Sequence, residues 1–429
     1  MTPATLGLIL LVIFFLMLFL RIPIAISIGL STLVTMLISG MPIGSFASQM
    51  LTGTQKYTLL AMPFFILAGN IMTHSGISKR IVNFANLLSG DIPGGIAIIS
   101  IVVTVFWGAL SGSAPATVVA LGMVLIPGMI EIGYSPAFAA ATIASSAAIS
   151  VVIPPSIPMV AYGVVQGASI GDLLLGGVFP GMLMGLSCIA WAFIVSKKRG
   201  YKGSRFGTGK EIWTGFKDAF WGLITPIIIL GGIYGGFVSP TEAAVIACVY
   251  SLIIGLFVYK DFKIKDLWRI LAESANSSAS IMLILATASM LAYLLTVSGI
   301  GAAVTTTIAG VSSSKWITML LMLLIIFIAG FFLDAISIIY IFAPLLTPIA
   351  TQLGYTSVEF GVIMIMGIAV GFATPPVATN LYPACKIADI TIMQITKEVW
   401  GYIFAMMFSC IIVIFLPQIV SWLPNVAIK

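Results

Sequence analysis

Apolar residues in this chain come in long runs broken by short polar punctuation, and most runs are long enough to cross a bilayer as a helix. Runs near 6–20, 22–38, 57–73, 136–166, 173–195, 218–238, 241–259, 275–297, 357–388 and 399–423 predict helical spans. Two more, 93–131 and 316–352, are too long for one span, and small and polar residues interrupt each near its middle. They predict either two spans each or a re-entrant hairpin, and both choices return the chain to the side it came from. Two segments follow a different pattern. In SKRIVNFANLLSGD, Ile81, Phe84, Ala85 and Leu88 fall at i, i+3, i+4, i+7, and in KDFKIKDLWRIL, Ile264, Leu267, Trp268 and Leu271 repeat that spacing. Both carry cations on the other face, which predicts amphipathic helices lying flat at the cytoplasmic interface.

Composition settles the solvent. Of 429 residues, 60% are hydrophobic and 7% charged, against about 25% charged in a soluble domain. So few charges cannot clothe a surface in water, so the expected fold is an all-α polytopic membrane protein. Charge then sets its orientation. No cation precedes the first apolar run and Arg21 follows it, the reverse of a signal peptide. The run is therefore read as a retained span with its N-terminus outside. On that reading 16 of the 19 cations face the cytoplasm and only Lys56, Lys315 and Lys429 lie outside, as the positive-inside rule requires of a bacterial inner-membrane protein. The net charge of +6 is thus a topological signal and not one for nucleic acid. Cys188, Cys248, Cys385 and Cys410 are scattered through apolar stretches without CxxC spacing, and read as small buried hydrophobes.

The halves repeat. Ser75-Gly76-Ile77 recurs as Ser298-Gly299-Ile300 and Leu110-Ser111 as Leu333-Asp334, both 223 residues on. Pro127 recurs as Pro348, Gly133-Tyr134 as Gly354-Tyr355 and Pro154-Pro155 as Pro375-Pro376, all at 221. Residues 57–73 enter from outside and their counterpart 275–297 from inside, so the repeat is inverted. The chain divides into scaffold helices 1–56, a first repeat 57–166 (hairpin 93–131, broken helix 136–166), scaffold helices 167–274 with a basic loop 197–217, a second repeat 275–388 (hairpin 316–352, broken helix 357–388) and a C-terminal helix 389–429. Inverted repeats with broken helices mark secondary transporters, with sites near the midplane.

Each half carries two breaks: WGALSGSAPAT (107–117) and VIPPSIP (152–158), then GFFLDAISI (330–338) and FATPPVATN (372–380). Backbone freed at membrane depth is tolerated where it lines a cavity or is buried in protein. Pro155 and Pro376 are placed to restart helices, Thr374 to cap one, and Ser113 and Asp334 to cap the second arms of the hairpins. Four converging helix N-termini favour an anion. The freed carbonyls, with the hydroxyls of Ser111, Ser113, Ser337 and Thr374, are hard donors for a small cation. Proline kinks with Ser and Thr bonded back to their own helices are the plainer alternative. Asp334 stands out as a carboxylate deep in an apolar stretch, where a charge costs about 2.5–3.5 kcal/mol even on lenient scales. Its counterpart is read as Ser111. No chain of acids or histidines forms a proton relay, which favours sodium. His74, the only histidine, reads as solvated, and no HExxH, Walker or usable GxGxxG motif points to an enzyme.

Four strings, AMPFFILAGNIM (61–72), WGALSGSAPAT (107–117), IPPSIPMVAYG (153–163) and GGIYGGFVSPTEAA (231–244), together resemble the large membrane subunit of tripartite ATP-independent periplasmic (TRAP) transporters, across essentially the whole chain. The resemblance implies an elevator-type carrier coupled to sodium, with a small four-helix membrane subunit and a periplasmic solute-binding protein as partners. It implies an organic acid substrate such as a C4-dicarboxylate or a sialic acid. Sodium sites carried onto this chain fall at Ser111, Gly112 and Ser113 with Pro154, and at Asp334 and Ser337 with Thr374. Thr117, Ser156, Thr379 and Asn380 beside them are the expected substrate contacts. A stand-alone sodium/anion symporter and an anion channel are the competing readings.

Overall fold

The computed structural model describes residues 1–427 other than Ser204, Ser312, Ser313, Pro376 and Val377. Pro376 and Lys429 therefore lie outside the described residues. The chain is a succession of helices, with no strand among the described residues: α1 Pro3–Phe19, α2 Ile24–Ile38, α3 Ile43–Thr54, α4 Ala61–His74, α5 Ile77–Leu87, α6 Gly95–Ser111 and α7 Ala114–Glu131. There follow α8 Pro136–Ala148, α9 Ile157–Gln166, α10 Ile170–Arg199, α11 Gly209–Leu223, α12 Thr225–Tyr234, α13 Pro240–Ile253 and α14 Ile264–Val297. The last third holds α15 Ile300–Val311, α16 Lys315–Ala329, α17 Ala335–Gln352, α18 Ser357–Phe372, α19 Leu381–Ala388, α20 Ile392–Phe415 and α21 Gln418–Ala427. Seven helices among the described residues are long and apolar enough to span a membrane, or eight if the α11–α12 pair, bent by 43°, counts as one. Helices dominate because each satisfies its own backbone in a solvent without donors or acceptors. Polar starts are capped where the chain re-enters: Thr208 with Glu211, Ser239 with Glu242 and Thr356 with Glu359 form reciprocal capping boxes.

The repeat is present in the backbone. Helices α7 and α17 are each 18 residues long, and their bounds differ by 221 at both ends. Gly76 and Gly299, before α5 and α15, have φ of 67° and 72°. Gly133 and Gly354 share a positive φ, and the Tyr134 and Tyr355 amides that follow each donate five residues back, to Met129 O and Ala350 O. The register differs at one place from the sequence reading. Asp334 is the N-cap of α17 and Ser113 the N-cap of α7, so the structural counterpart of Asp334 is Ser113 and not Ser111.

The broken helices lie at the centre. Every residue of Phe138–Ala148 in α8 and of Glu359–Phe372 in α18 is buried. The run of Ala and Ser in α8 lets neighbours approach closely, the means by which helices pack where lipid is as apolar as Leu. At the edge, α1 leaves Leu8, Val12, Leu16 and Phe19 exposed, a lipid-facing stripe. All four cysteines are buried and free.

Five expectations are corrected. Residues 264–271 are not a separate flat helix but the first turns of the 34-residue α14, about 51 Å long at 1.5 Å per residue. The proposed boundary at 274/275 falls inside that helix. The run 218–238 is not one continuous helix, because it breaks at Ile224 between α11 and α12. The basic stretch 197–217 is loop only in part: α10 carries Lys197, Lys198 and Arg199, and α11 begins at Gly209. The C-terminal region 389–429 holds two helices, α20 and α21. Helix α3 was not foreseen. It has no fully buried residue, and its Gly and Ser content hid its period.

Candidate functional site

Each hairpin tip packs against the break of the helix that follows it. In the first half, α6 closes at Gly112 (φ 61°), a left-handed conformation that glycine adopts without strain. A Cβ there would meet Ile157 at 3.0 Å, and one at Gly108 would sit 2.0 Å from Ser150 Cβ. In the second half, a Cβ at Gly330 would lie 2.9 Å from Gly371 Cα. The two contacts occupy equivalent places in the repeat, and only small residues permit either.

The first tip is bound up in its own hydrogen bonds. Ser111 Oγ lies 2.6 Å from Thr117 Oγ1 and accepts from the Ser113 amide at 3.3 Å. Thr117 donates to Ser113 O at 2.9 Å. Ser113 is the N-cap residue but makes no side-chain cap bond, so the expected capping by its hydroxyl is not found; Ser111 reaches the turn instead. Ser113 Oγ is thereby left uncommitted on a half-buried residue.

At the second tip Asp334 does cap. Its Oδ1 accepts from the amides of Ile336 and Ser337 at 3.0 Å each, and its Oδ2 accepts from Ser337 Oγ at 2.6 Å. A carboxylate at a helix N-terminus is stabilised by these donors and by the helix dipole. Asp334 is half-buried; the one buried acidic residue among the described residues is Glu359, at 8% exposure, held by the Thr356 amide at 2.8 Å. The sequence reading singled out only the first of these.

The breaks are built differently from expectation. Helix α9 does not restart at Pro155. It begins at Ile157, with Ser156 Oγ accepting from the Met159 amide and donating to Val151 O, and a proline lies in its first turn. Ser156 is fully buried and its proton is committed. Thr374 does not cap α19 either; its Oγ1 donates back to Val370 O at 2.7 Å. Across the second break the Asn380 amide donates to Phe372 O at 3.3 Å. Asn380 Nδ2 donates to Ala144 O at 3.0 Å, tying the second broken helix to the first. In the other direction Tyr162 of α9 meets Thr347 of α17 at 3.0 Å.

Buried oxygens remain free at both breaks: Ser150 Oγ at the first, and Thr379 Oγ1 and Asn380 Oδ1 at the second. A buried unpartnered polar group costs about 1–3 kcal/mol, so such atoms beside freed backbone are what an oxygen-ligated cation or a polar substrate would satisfy. Thus the structure gathers Ser111, Gly112, Ser113 and Thr117 at one tip and Asp334 and Ser337 at the other. It sets Pro154, Ser156, Thr374, Thr379 and Asn380 in the facing breaks. Sequence reading missed Gly108, Ser150, Gly330 and Gly371; their signal was small residues at the repeat offset. Among the described residues no group of three His, Cys, Asp or Glu is placed to hold a metal.

Known proteins match this arrangement. The family model of the tripartite ATP-independent periplasmic transporter, DctM component, covers residues 11–419. The C4-dicarboxylate TRAP transporter large permease protein of Rhodobacter capsulatus is 36% identical, over 94% of this chain and 95% of its own length. The sialic acid TRAP transporter large permease protein of Vibrio cholerae is 33% identical, over 88% of this chain and 89% of its own. An isethionate TRAP transporter permease protein of Oleidesulfovibrio alaskensis is 39% identical over 95% of this chain, which spans 64% of that longer protein. These relatives are named as transporter permeases, not enzymes. The crystal structure of the Alcanivorax borkumensis YdaH transporter aligns with a TM-score of 0.63 at 15% identity, covering 92% of this chain and 90% of that one, so the fold is shared. With the motifs, the paired breaks and the family match in agreement, the chain belongs to the DctM family, the large membrane permeases of TRAP transporters.

Proposed function

We propose that this chain is the carrier of a sodium-coupled secondary uptake system for an organic acid anion of the sialic acid or C4-dicarboxylate class. The supporting observation is the pairing of Gly108 with Ser150 and of Gly330 with Gly371, which gives two equivalent tip-on-break contacts in one chain. Two such sites related by an inverted repeat suit a carrier, since exchanging their conformations turns an outward-open state into an inward-open one. Sodium binds at the tips, with Asp334, Ser337, Ser111, Ser113 and the freed carbonyls as ligands. The N-termini of α7, α9 and α19 present partial positive charge to the anion, while that of α17 is taken up by the Asp334 carboxylate. The hairpins and broken helices move as an elevator against α1–α3 and α10–α14. The N-terminus and Lys56 face outside, and the basic ends of α10 and α11 face the cytoplasm of the inner membrane. A small four-helix membrane subunit and a periplasmic solute-binding protein complete the system.

The test is uptake by proteoliposomes that contain the chain with its small subunit and binding protein. Accumulation of labelled succinate or N-acetylneuraminate against its gradient, only when sodium is higher outside, is expected. Flux that merely dissipates the substrate gradient, indifferent to sodium, would mean a channel. Full uptake without a binding protein would mean a stand-alone symporter.

A further inference from the structure

A cavity with several polar residues in its wall lies apart from the helix breaks, between α3, the end of α9, α14 and α17. Its volume is about 410 Å³, within the range of small-molecule sites. Lys56 is the only charged residue among the described residues of its lining, and no carboxylate joins it there. Helices α3 and α14 touch here: a Cβ at Gly53 would sit 2.0 Å from Ser289 Oγ. That contact fixes the segment carrying Lys56 beside the cavity.

Two side chains give the cavity its character. Lys56 Nζ donates to Val164 O at 2.8 Å, at the last turn of α9, where Gly167 closes the helix without a backbone cap bond. The ammonium answers the negative end of that helix and keeps two further N–H donors. Tyr340 of α17 lines the same cavity. It is 5% exposed, and its hydroxyl has no hydrogen-bond partner. A cation beside the cavity, a tyrosine in its wall whose buried hydroxyl is unpartnered, and no carboxylate among the described lining residues make an oxyanion site.

We propose that this cavity is a receiving site for the carboxylate or sulfonate of the transported acid, bound by Lys56 Nζ, with the buried Tyr340 Oη turning to meet it, before the anion passes to the helix breaks. This rests on the transport reading above and on its outward placement of Lys56. The anion would add to the Lys56–Val164 contact without breaking it. Rising local anion concentration beside a charged, low-dielectric wall raises encounter rates.

The experiment uses thiol chemistry on the full chain in lipid nanodiscs and needs no transport. Thr52 lines the cavity and is exposed, whereas the native cysteines are all buried. Thr52→Cys is treated with anionic 2-sulfonatoethyl methanethiosulfonate and with its cationic trimethylammonium counterpart. Lys56 is expected to favour the anionic reagent by about tenfold, less at high salt. Lys56→Gln, which still offers a donor to Val164 O, abolishes the preference, and Lys56→Arg retains it. Succinate, isethionate or N-acetylneuraminate slows the reaction, and Tyr340→Phe weakens that protection. A preference unchanged in Lys56→Gln, or no protection by any of the three anions, overturns the proposal. Unaltered protection in Tyr340→Phe removes Tyr340 from it. An intact preference and protection in a chain that carries none of these acids would count against the transport reading alone.

Discussion

Gly330 and Gly371 meet backbone to backbone: a Cβ on Gly371 would lie 2.7 Å from Gly330 Cα. The second hairpin is thereby seated on the second broken helix, and Gly108 against Ser150 repeats the arrangement in the first half. Gly330→Ala or Gly371→Ala is expected to lower stability by about 1–3 kcal/mol through overpacking and to abolish sodium-dependent uptake. In the first half, Gly108→Ala is expected to do the same. Adding Ser150→Gly should recover part of the loss, because the 2.0 Å contact to Ser150 Cβ goes while the 2.8 Å contact to Cα stays. Thermal melts in detergent check both. Melts unchanged by every single variant would show that the contact carries no weight.

Asp334 serves as a helix cap, and on the proposed function also as a sodium ligand. The two roles separate in Asp334→Asn. The amide oxygen can still accept from Ile336 and Ser337, so the melting point should fall little. Asp334→Ala also loses the cap, worth about 0.5–2 kcal/mol. Wild-type protein should melt higher in sodium than in choline, since a ligand that binds only the folded state stabilises it. If Asp334→Asn keeps that sodium-induced rise, Asp334 is not a ligand.

Asn380 links the two broken helices through Ala144 O and leaves a buried Oδ1 free. Asn380→Ala is expected to raise the KM for substrate about tenfold, the equivalent of 1.4 kcal/mol, with a smaller change in melting point. Uptake kinetics beside a melt decide it: a large loss of stability with unchanged KM would make Asn380 a structural tie only.

The native thiols are sheltered in helices. Wild-type uptake should therefore survive a membrane-impermeant methanethiosulfonate reagent, applied from either side, with a loss of less than about a tenth, as buried thiols are inert. Stronger inhibition would mean that at least one of Cys188, Cys248, Cys385 and Cys410 becomes exposed during the transport cycle.

Much of this was legible in one dimension. Apolar runs, charge placement and five repeated markers predicted an all-helical membrane fold with two hairpins and two broken helices. Asp334 was found because a carboxylate among FFL and AISI stands out by chemistry alone. Its role as the α17 cap followed from position. Glu359 escaped notice because its surroundings, a Thr three residues before and an apolar run after, read as an ordinary helix start. Trp268 and its neighbours were misread because an amphipathic period does not tell a flat helix from the polar end of a long one.

The sequence by itself determined what depends on solvent and local bonding: residence in lipid, where helices start, and where proline and glycine interrupt them. These follow from the transfer free energy of each side chain and from backbone groups that must bond within a few residues. Only the tertiary structure decided which atoms are spent and which are free. Only there does it emerge that the Ser156 and Thr374 hydroxyls spend their protons on Val151 O and Val370 O, so that each can still accept or ligate but not donate to a substrate. Ser150, Gly371 and Lys56 looked ordinary until distant segments came within a few ångströms of them. Such partnerships form between residues far apart in the chain, and no local pattern encodes them.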